Sequence, residues 1–217
     1  MTAMKIIMAA AMAVLVPVGV SAQGIIIPEG NPIGIPESIT ESGLLPTVGG
    51  VTVSIDISGG NNGDLVGYLS YDGVIVTLLN RPGVSGGNPL GFTGSGFNIT
   101  ISDTGSLNLN TAPETAGSPL TGIFNVNGTP GLNGTGANGS LAFGSAFDGL
   151  NPNGTWTLFL ANEASGGDPS MLVSWSLSID AVPEPTNIAL GIFGVCAVAG
   201  RLRAGWKKRS ASNPIEE

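Results

Sequence analysis

The chain has 217 residues, 35 of them glycine and only 10% charged, with a net charge of −8. Gln23 to Val182 carries twelve acidic residues and one basic one, Arg81, for a net of −11, which argues against a phosphate-binding surface for nucleic acid. No histidine occurs, so Ser-His-Asp triads, Cys-His pairs and histidine-ligated zinc are excluded, and the one cysteine, Cys196, leaves nothing to form a disulfide.

From the N-terminus, Lys5 precedes an apolar run from Ile6 to Val20 that only Pro17 and Gly19 interrupt. Val20-Ser21-Ala22 then supplies small residues before a cut between Ala22 and Gln23. A short positive start, an apolar middle and a small-residue end are the layout of a secretory signal peptide over 1–22. Residues 23–47 read as a linker or an edge segment.

The next residues carry strand patterns. Val51, Val53, Ile55 and Ile57 alternate with Thr52, Ser54, Asp56 and Ser58. Leu65–Tyr71 and Val74–Leu79 flank Asp72-Gly73, the strongest short hairpin signal in the chain. Phe97, Ile99 and Ile101 alternate with Asn98, Thr100 and Ser102, and Phe124 and Val126 with Asn125 and Asn127. Gly128 to Ser140 reads as a low-complexity surface loop. Thr155–Leu160 follows the turn Asn151-Pro152-Asn153-Gly154. After Gly166-Gly167-Asp168-Pro169, Met171, Val173, Trp175, Leu177 and Ile179 alternate with Leu172, Ser174, Ser176, Ser178 and Asp180. A period of two sends one face to a core and the other to water. An all-β sandwich follows, with Trp156 and Trp175 in its core and Tyr68, Tyr71 and Phe159 as exposed aromatics.

Oxygen-rich turns hold Asp64, Asp72, Asp103, Asp148 and Asp168, the residue type and setting that calcium prefers. No Asp-x-Asn-x-Asp series selects a site, and Asp64 and Asp168 are the calcium candidates; no other cofactor is called for. Twelve carboxylates offer many pairs for glycoside hydrolysis, but no spacing picks one, so the chain reads as non-enzymatic. Five Asn-x-Ser/Thr triplets, at Asn98, Asn127, Asn133, Asn138 and Asn153, read as turn chemistry.

The C-terminal segment has three ordered parts. Val182-Pro183-Glu184-Pro185 is followed by an apolar stretch from Thr186 to Gly200, then by Arg201, Arg203, Lys207, Lys208 and Arg209. The stretch is long enough to hold the chain in a membrane if Leu202 to Trp206 extend it, and the basic cluster belongs on the cytoplasmic side. Proline fixes its own φ and biases its predecessor to extended backbone, so Pro183 and Pro185 hold Glu184 in a stiff segment.

These three parts resemble the PEP-CTERM sorting signal over 182–209, with 210–217 left as a cytoplasmic tail. The resemblance implies recognition by an exosortase, a membrane transpeptidase of exopolysaccharide-producing Gram-negative bacteria. A second resemblance covers 48–181. Gly149-Leu150-Asn151-Pro152-Asn153-Gly154-Thr155-Trp156-Thr157-Leu158 and Leu172-Val173-Ser174-Trp175-Ser176-Leu177 are similar to the C-terminal half of a P/Homo B domain, as Gly63-Asp64-Leu65 is to its earlier strand. It implies a jelly-roll β-sandwich. The expected protein is exported through the inner membrane, transiently anchored and destined for the cell surface or matrix. Its β domain is then structural or adhesive, with exopolysaccharide as a partner; the alternative is a carbohydrate-binding or glycan-active domain.

Overall fold

A computed structural model describes residues 14–126 and 141–184, with side chains described from residue 24 onward. The expected surface loop, the apolar C-terminal stretch and the basic cluster therefore lie outside the described residues.

Nine strands form two sheets. One has the order β1-β9-β3-β6-β7 and the other β2-β8-β4-β5. The strands are β1 (Val14–Ile27), β2 (Asn31–Glu41), β3 (Thr47–Ser58), β4 (Leu65–Tyr71), β5 (Val74–Asn80), β6 (Gly96–Ser102), β7 (Leu120–Asn125), β8 (Gly154–Asn162) and β9 (Ser170–Val182). A single helix of five residues, α1 (Phe143–Phe147), is described. All strand pairs are antiparallel except β6 with β7. The described residues are mostly β, in two sheets, as the composition implied.

The alternating residues point as their periodicity requires. Val53, Ile55 and Ile57 of β3, Phe97, Ile99 and Ile101 of β6, and Trp175, Leu177 and Ile179 of β9 are buried. They join Leu69 of β4, Val76 and Leu78 of β5, and Trp156, Leu158 and Leu160 of β8 in one core. Each such side chain stabilises the fold by roughly 1.5–3 kcal/mol on transfer from water. The Asp72-Gly73 turn has φ of +48° and +77° at its two central residues, the left-handed pair that matches the twist of a two-residue hairpin.

One phase differs from the alternation. Met171 is 37% exposed while Leu172 is fully buried. The pairing of β3 with β9 shifts here, with Asp56 opposite Ser174 and Ile57 opposite Leu172. Val173 is the extra residue of a β-bulge, which reverses the faces of the residues before it. Met171 and Val173 therefore leave the apolar row that the sequence pattern assigned to them.

The first part of β1, Val14 to Ser21, pairs with Ser174 to Ala181, and Ile25 to Ile27 with Ser170 to Leu172. The register breaks between Ser21 and Ile25. The expected Ala22–Gln23 cut falls inside that break. In the segment expected as linker or edge, β2 forms the edge of the four-stranded sheet against β8.

Candidate functional site

At one end of the five-stranded sheet, four elements surround a cleft of about 340 Å³. Gly49 to Thr52 come from β3, Ser102 to Thr104 from the end of β6, Gly144 and Asp148 from α1 and its exit, and Ser178 and Asp180 from β9. Three aspartates thus meet although they lie far apart in the chain. No periodicity or motif marks them as a group.

The local chemistry of the three differs. Both carboxylate oxygens of Asp103 are occupied: Phe143 donates its N–H to Oδ1 at 2.8 Å and Gly144 to Oδ2 at 2.7 Å. Asp103 is therefore an N-terminal cap for α1, with its own carbonyl held by Asn125 Nδ2 at 3.0 Å. Asp148 closes the same turn, its N–H donating to the Gly144 carbonyl. A Cβ at Gly144 would sit 3.1 Å from Asp148 Oδ2 and 3.3 Å from Asp103 Oδ2, so glycine leaves the space on which both carboxylates converge. Burial, and then the Asp103 charge, push the Asp148 carboxyl above the usual range. Asp180 Oδ1 and Ser178 Oγ are buried with no hydrogen-bond partner.

This arrangement offers acceptors to a hydroxyl or an amine. Asp103 is committed to backbone N–H groups, which leaves it poorly placed to carry a proton. Among the described residues, no group of three or more His, Cys, Asp or Glu side chains is placed to hold a metal ion.

The two calcium candidates lie elsewhere, on neighbouring loops. Asp64 ends the 3₁₀ turn Asn62–Asp64 and is buried. Its Oδ2 accepts from Asn61 Nδ2 at 3.2 Å, and its carbonyl accepts from Glu163 N–H at 2.8 Å. Asp168 is exposed on the loop between β8 and β9. The loops touch, since a Cβ at Gly167 would lie 4.0 Å from Asn61 Nδ2. Asp72 sits at the tip of the β4–β5 turn, away from both.

The aromatic residues divide. Tyr71, expected to be exposed, is buried, because its ring stacks on Trp156 with centroids 3.9 Å apart. Tyr68 and Phe159 are half-buried on the outer face of the four-stranded sheet and stack on each other, centroids 4.5 Å apart and planes within 18°. Being cross-strand partners, two rings parallel at that distance stand upright on the sheet.

At the other candidate region, β9 pairs through Val182, which lies opposite Thr47. The chain divides into compact units at that point, Met1–Val182 and Pro183–Glu217. Pro183 is half-buried and Glu184 exposed; Pro185, Arg201, Arg203, Lys207, Lys208 and Arg209 lie outside the described residues. Among the described residues no helix is long and apolar enough to cross a membrane.

No protein-family model and no curated protein matches the chain. Among solved structures, the serine protease of Aeromonas sobria is similar at a TM-score of 0.43 and 18% identity, over 77% of this chain and 27% of that one. The complex of the Aeromonas sobria serine protease with its chaperone is similar at a TM-score of 0.41 and 17% identity, over 76% and 26%. This chain spans little more than a quarter of those chains, and at this similarity no activity carries over from them.

Proposed function

We propose that the chain is an exported bacterial cell-surface or matrix protein, cut at Pro183-Glu184-Pro185 by an exosortase-type membrane transpeptidase. In this reading 1–22 is a removed leader and 186–200 holds the chain in the membrane until processing. The β domain is a jelly-roll-like sandwich of the P/Homo B kind with a structural or adhesive role.

The observation that carries the reading is the position of the motif against the fold. Strand pairing runs to Val182, the next residue is a proline that cannot extend a ladder, and Glu184 is exposed. A cut in this segment removes none of the nine described strands. The absence of histidine and the capping role of Asp103 favour a non-catalytic domain.

The test is the intact mass of the cell-surface form in a Gram-negative host that has an exosortase. Loss of everything beyond the Pro-Glu-Pro segment is expected, and replacing Pro183, Glu184 and Pro185 together by alanine abolishes it. A surface form with a full-length tail, or unchanged trimming of the triple variant, overturns the reading.

A second reading, a glycan-binding domain, has the acidic cleft in its favour, since Asp148 is exposed there and can accept hydrogen bonds from sugar hydroxyls, with Asp180 also lining the cleft. Binding of exopolysaccharide to the surface form, lost on Asp148→Asn with Asp180→Asn, would establish it. Titrating the same protein with calcium tests Asp64 and Asp168: a rise in Tm that Asp64→Asn removes is the expected sign of a site there.

A further inference from the structure

The edge of the five-stranded sheet belongs, over most of its length, to residues that the proposed processing removes. Of the pairs between β1 and β9, those from Val14 to Ser21 lie in the leader and only those from Ile25 to Ile27 lie in the mature chain. Cutting in the register break after Ala22 therefore leaves a short N-terminal strand over Ser170 to Leu172. It uncovers the backbone of β9 from Ser174 to Ala181, which becomes the new edge of the sheet.

That edge lacks the protection natural edges carry. Free edges are blunted by lysines, prolines, bulges or extreme shortness. Ser174 to Ala181 contains no lysine, arginine or proline, and its pairing with β3 runs without a shift from Asp56–Ser174 to Val51–Ile179. Two side-chain atoms of the strand are also unsatisfied. Ser178 Oγ and Asp180 Oδ1, on the face of β9 away from the core, are buried without a hydrogen-bond partner. Buried polar atoms in that state cost about 1–3 kcal/mol each.

We infer that in the mature protein a second copy of the chain pairs with this edge, β9 against β9, joining the two β9-β3-β6-β7 sheets into one. The inference rests on the proposed removal of the leader. The sequence of the edge is what selects a second copy. An antiparallel pair about a twofold axis at Leu177 sets Trp175 opposite Ile179, Ser176 opposite Ser178 and Ser174 opposite Asp180. Apolar residues then meet apolar residues on one face, hydroxyls meet hydroxyls on the other, and the single charge of the stretch faces a serine rather than its own copy. An isologous contact requires this self-complementarity. The net charge of −11 over Gln23 to Val182 opposes association, so the dimer tightens as salt rises and screens it.

The exported full-length protein tests this directly. The intact mass of the released form reports its N-terminus, and sedimentation reports its size. A form beginning at Gln23 is expected to sediment as a dimer at high micromolar concentration, more fully at higher salt. Ser176→Lys with Ser178→Lys sets like charges opposite one another and raises the dimer Kd about tenfold or more. Ser176→Lys with Ser178→Glu sets opposite charges face to face and restores association; far-UV circular dichroism verifies the fold of both. A monomer beginning at Gln23, or a Lys/Lys variant that dimerises as well as the parent, overturns the edge pairing and leaves the export reading intact. A released form that keeps residues 1–22 overturns the export reading and the pairing with it.

Discussion

Tyr71 and Trp156 lie flat against each other, ring centroids 3.9 Å apart and planes within 5°, and both polar tips are tied to the same turn. The Tyr71 hydroxyl donates to the carbonyls of Asn151 and Asn153, and Trp156 Nε1 donates to the carbonyl of Pro152 at 3.0 Å. Phe147 of α1 meets the indole edge-on at 5.0 Å. The stack thus fastens the hairpin strand β4, the strand β8 and the turn before β8 to one another.

Removing either tip should loosen that turn. Tyr71→Phe keeps the ring and loses the hydroxyl, at a cost of about 1 kcal/mol, because two carbonyls lose a donor. Trp156→Ala opens a large cavity and should cost about 3–5 kcal/mol. Urea unfolding measures both. Tyr71→Phe combined with Trp156→Phe should be non-additive, since the two donors serve one turn.

The bulge at Val173 makes a prediction opposite to the sequence alternation. Leu172→Ala should cost about 2–5 kcal/mol, because Leu172 is fully buried in the core. Met171→Ala should stay within about 0.5 kcal/mol, as expected for a partly exposed side chain. Equal losses in thermal unfolding would contradict the register.

Gly96 opens β6 with φ of +93°, and a Cβ there would lie 2.0 Å from the Ile57 carbonyl oxygen. Its N–H donates to Asn62 Oδ1 at 2.8 Å. Gly96→Ala should destabilise by more than about 1 kcal/mol, since neither the backbone conformation nor the space admits a side chain. A larger Tm drop for Gly96→Ala than for Gly73→Ala in thermal scans would separate the two causes, because Gly73 is also left-handed (φ +77°) but has open space, so it carries the backbone cost alone.

Two carboxyls contribute to the pH dependence. Burial raises Glu41, and burial together with Asp103 raises Asp148. A carboxyl raised on folding binds its proton more tightly in the folded state. Its contribution is then fully present below the unfolded value of about 4 and is lost as pH rises through the folded value. Glu41→Gln and Asp148→Asn should each flatten the fall in stability above pH ~4 and leave the variant more stable at neutral pH. Asp103→Asn should lower the titration midpoint of Asp148 in carbon-detected NMR, because it removes the nearby negative charge. Asp103→Ala should additionally cost about 0.5–2 kcal/mol through the lost cap of α1.

What short-range chemistry encodes was legible in the chain. Val51 to Ile57 and Phe97 to Ile101 announce half-buried strands because a pleated backbone turns every second side chain inward. Asp72-Gly73 announces its hairpin because few residue pairs tolerate two left-handed conformations in succession. The lack of histidine excludes whole classes of catalysis without any fold. The tertiary structure decided what depends on which strands become neighbours. It placed β9 between β1 and β3, slipped Met171 and Leu172 past each other at a bulge, and buried Tyr71 under Trp156. It also gathered Asp103, Asp148 and Asp180 around one cleft from three separate stretches of chain. Such meetings depend on the packing of the two sheets, and a sequence period, which sees only neighbours along the chain, carries no record of them.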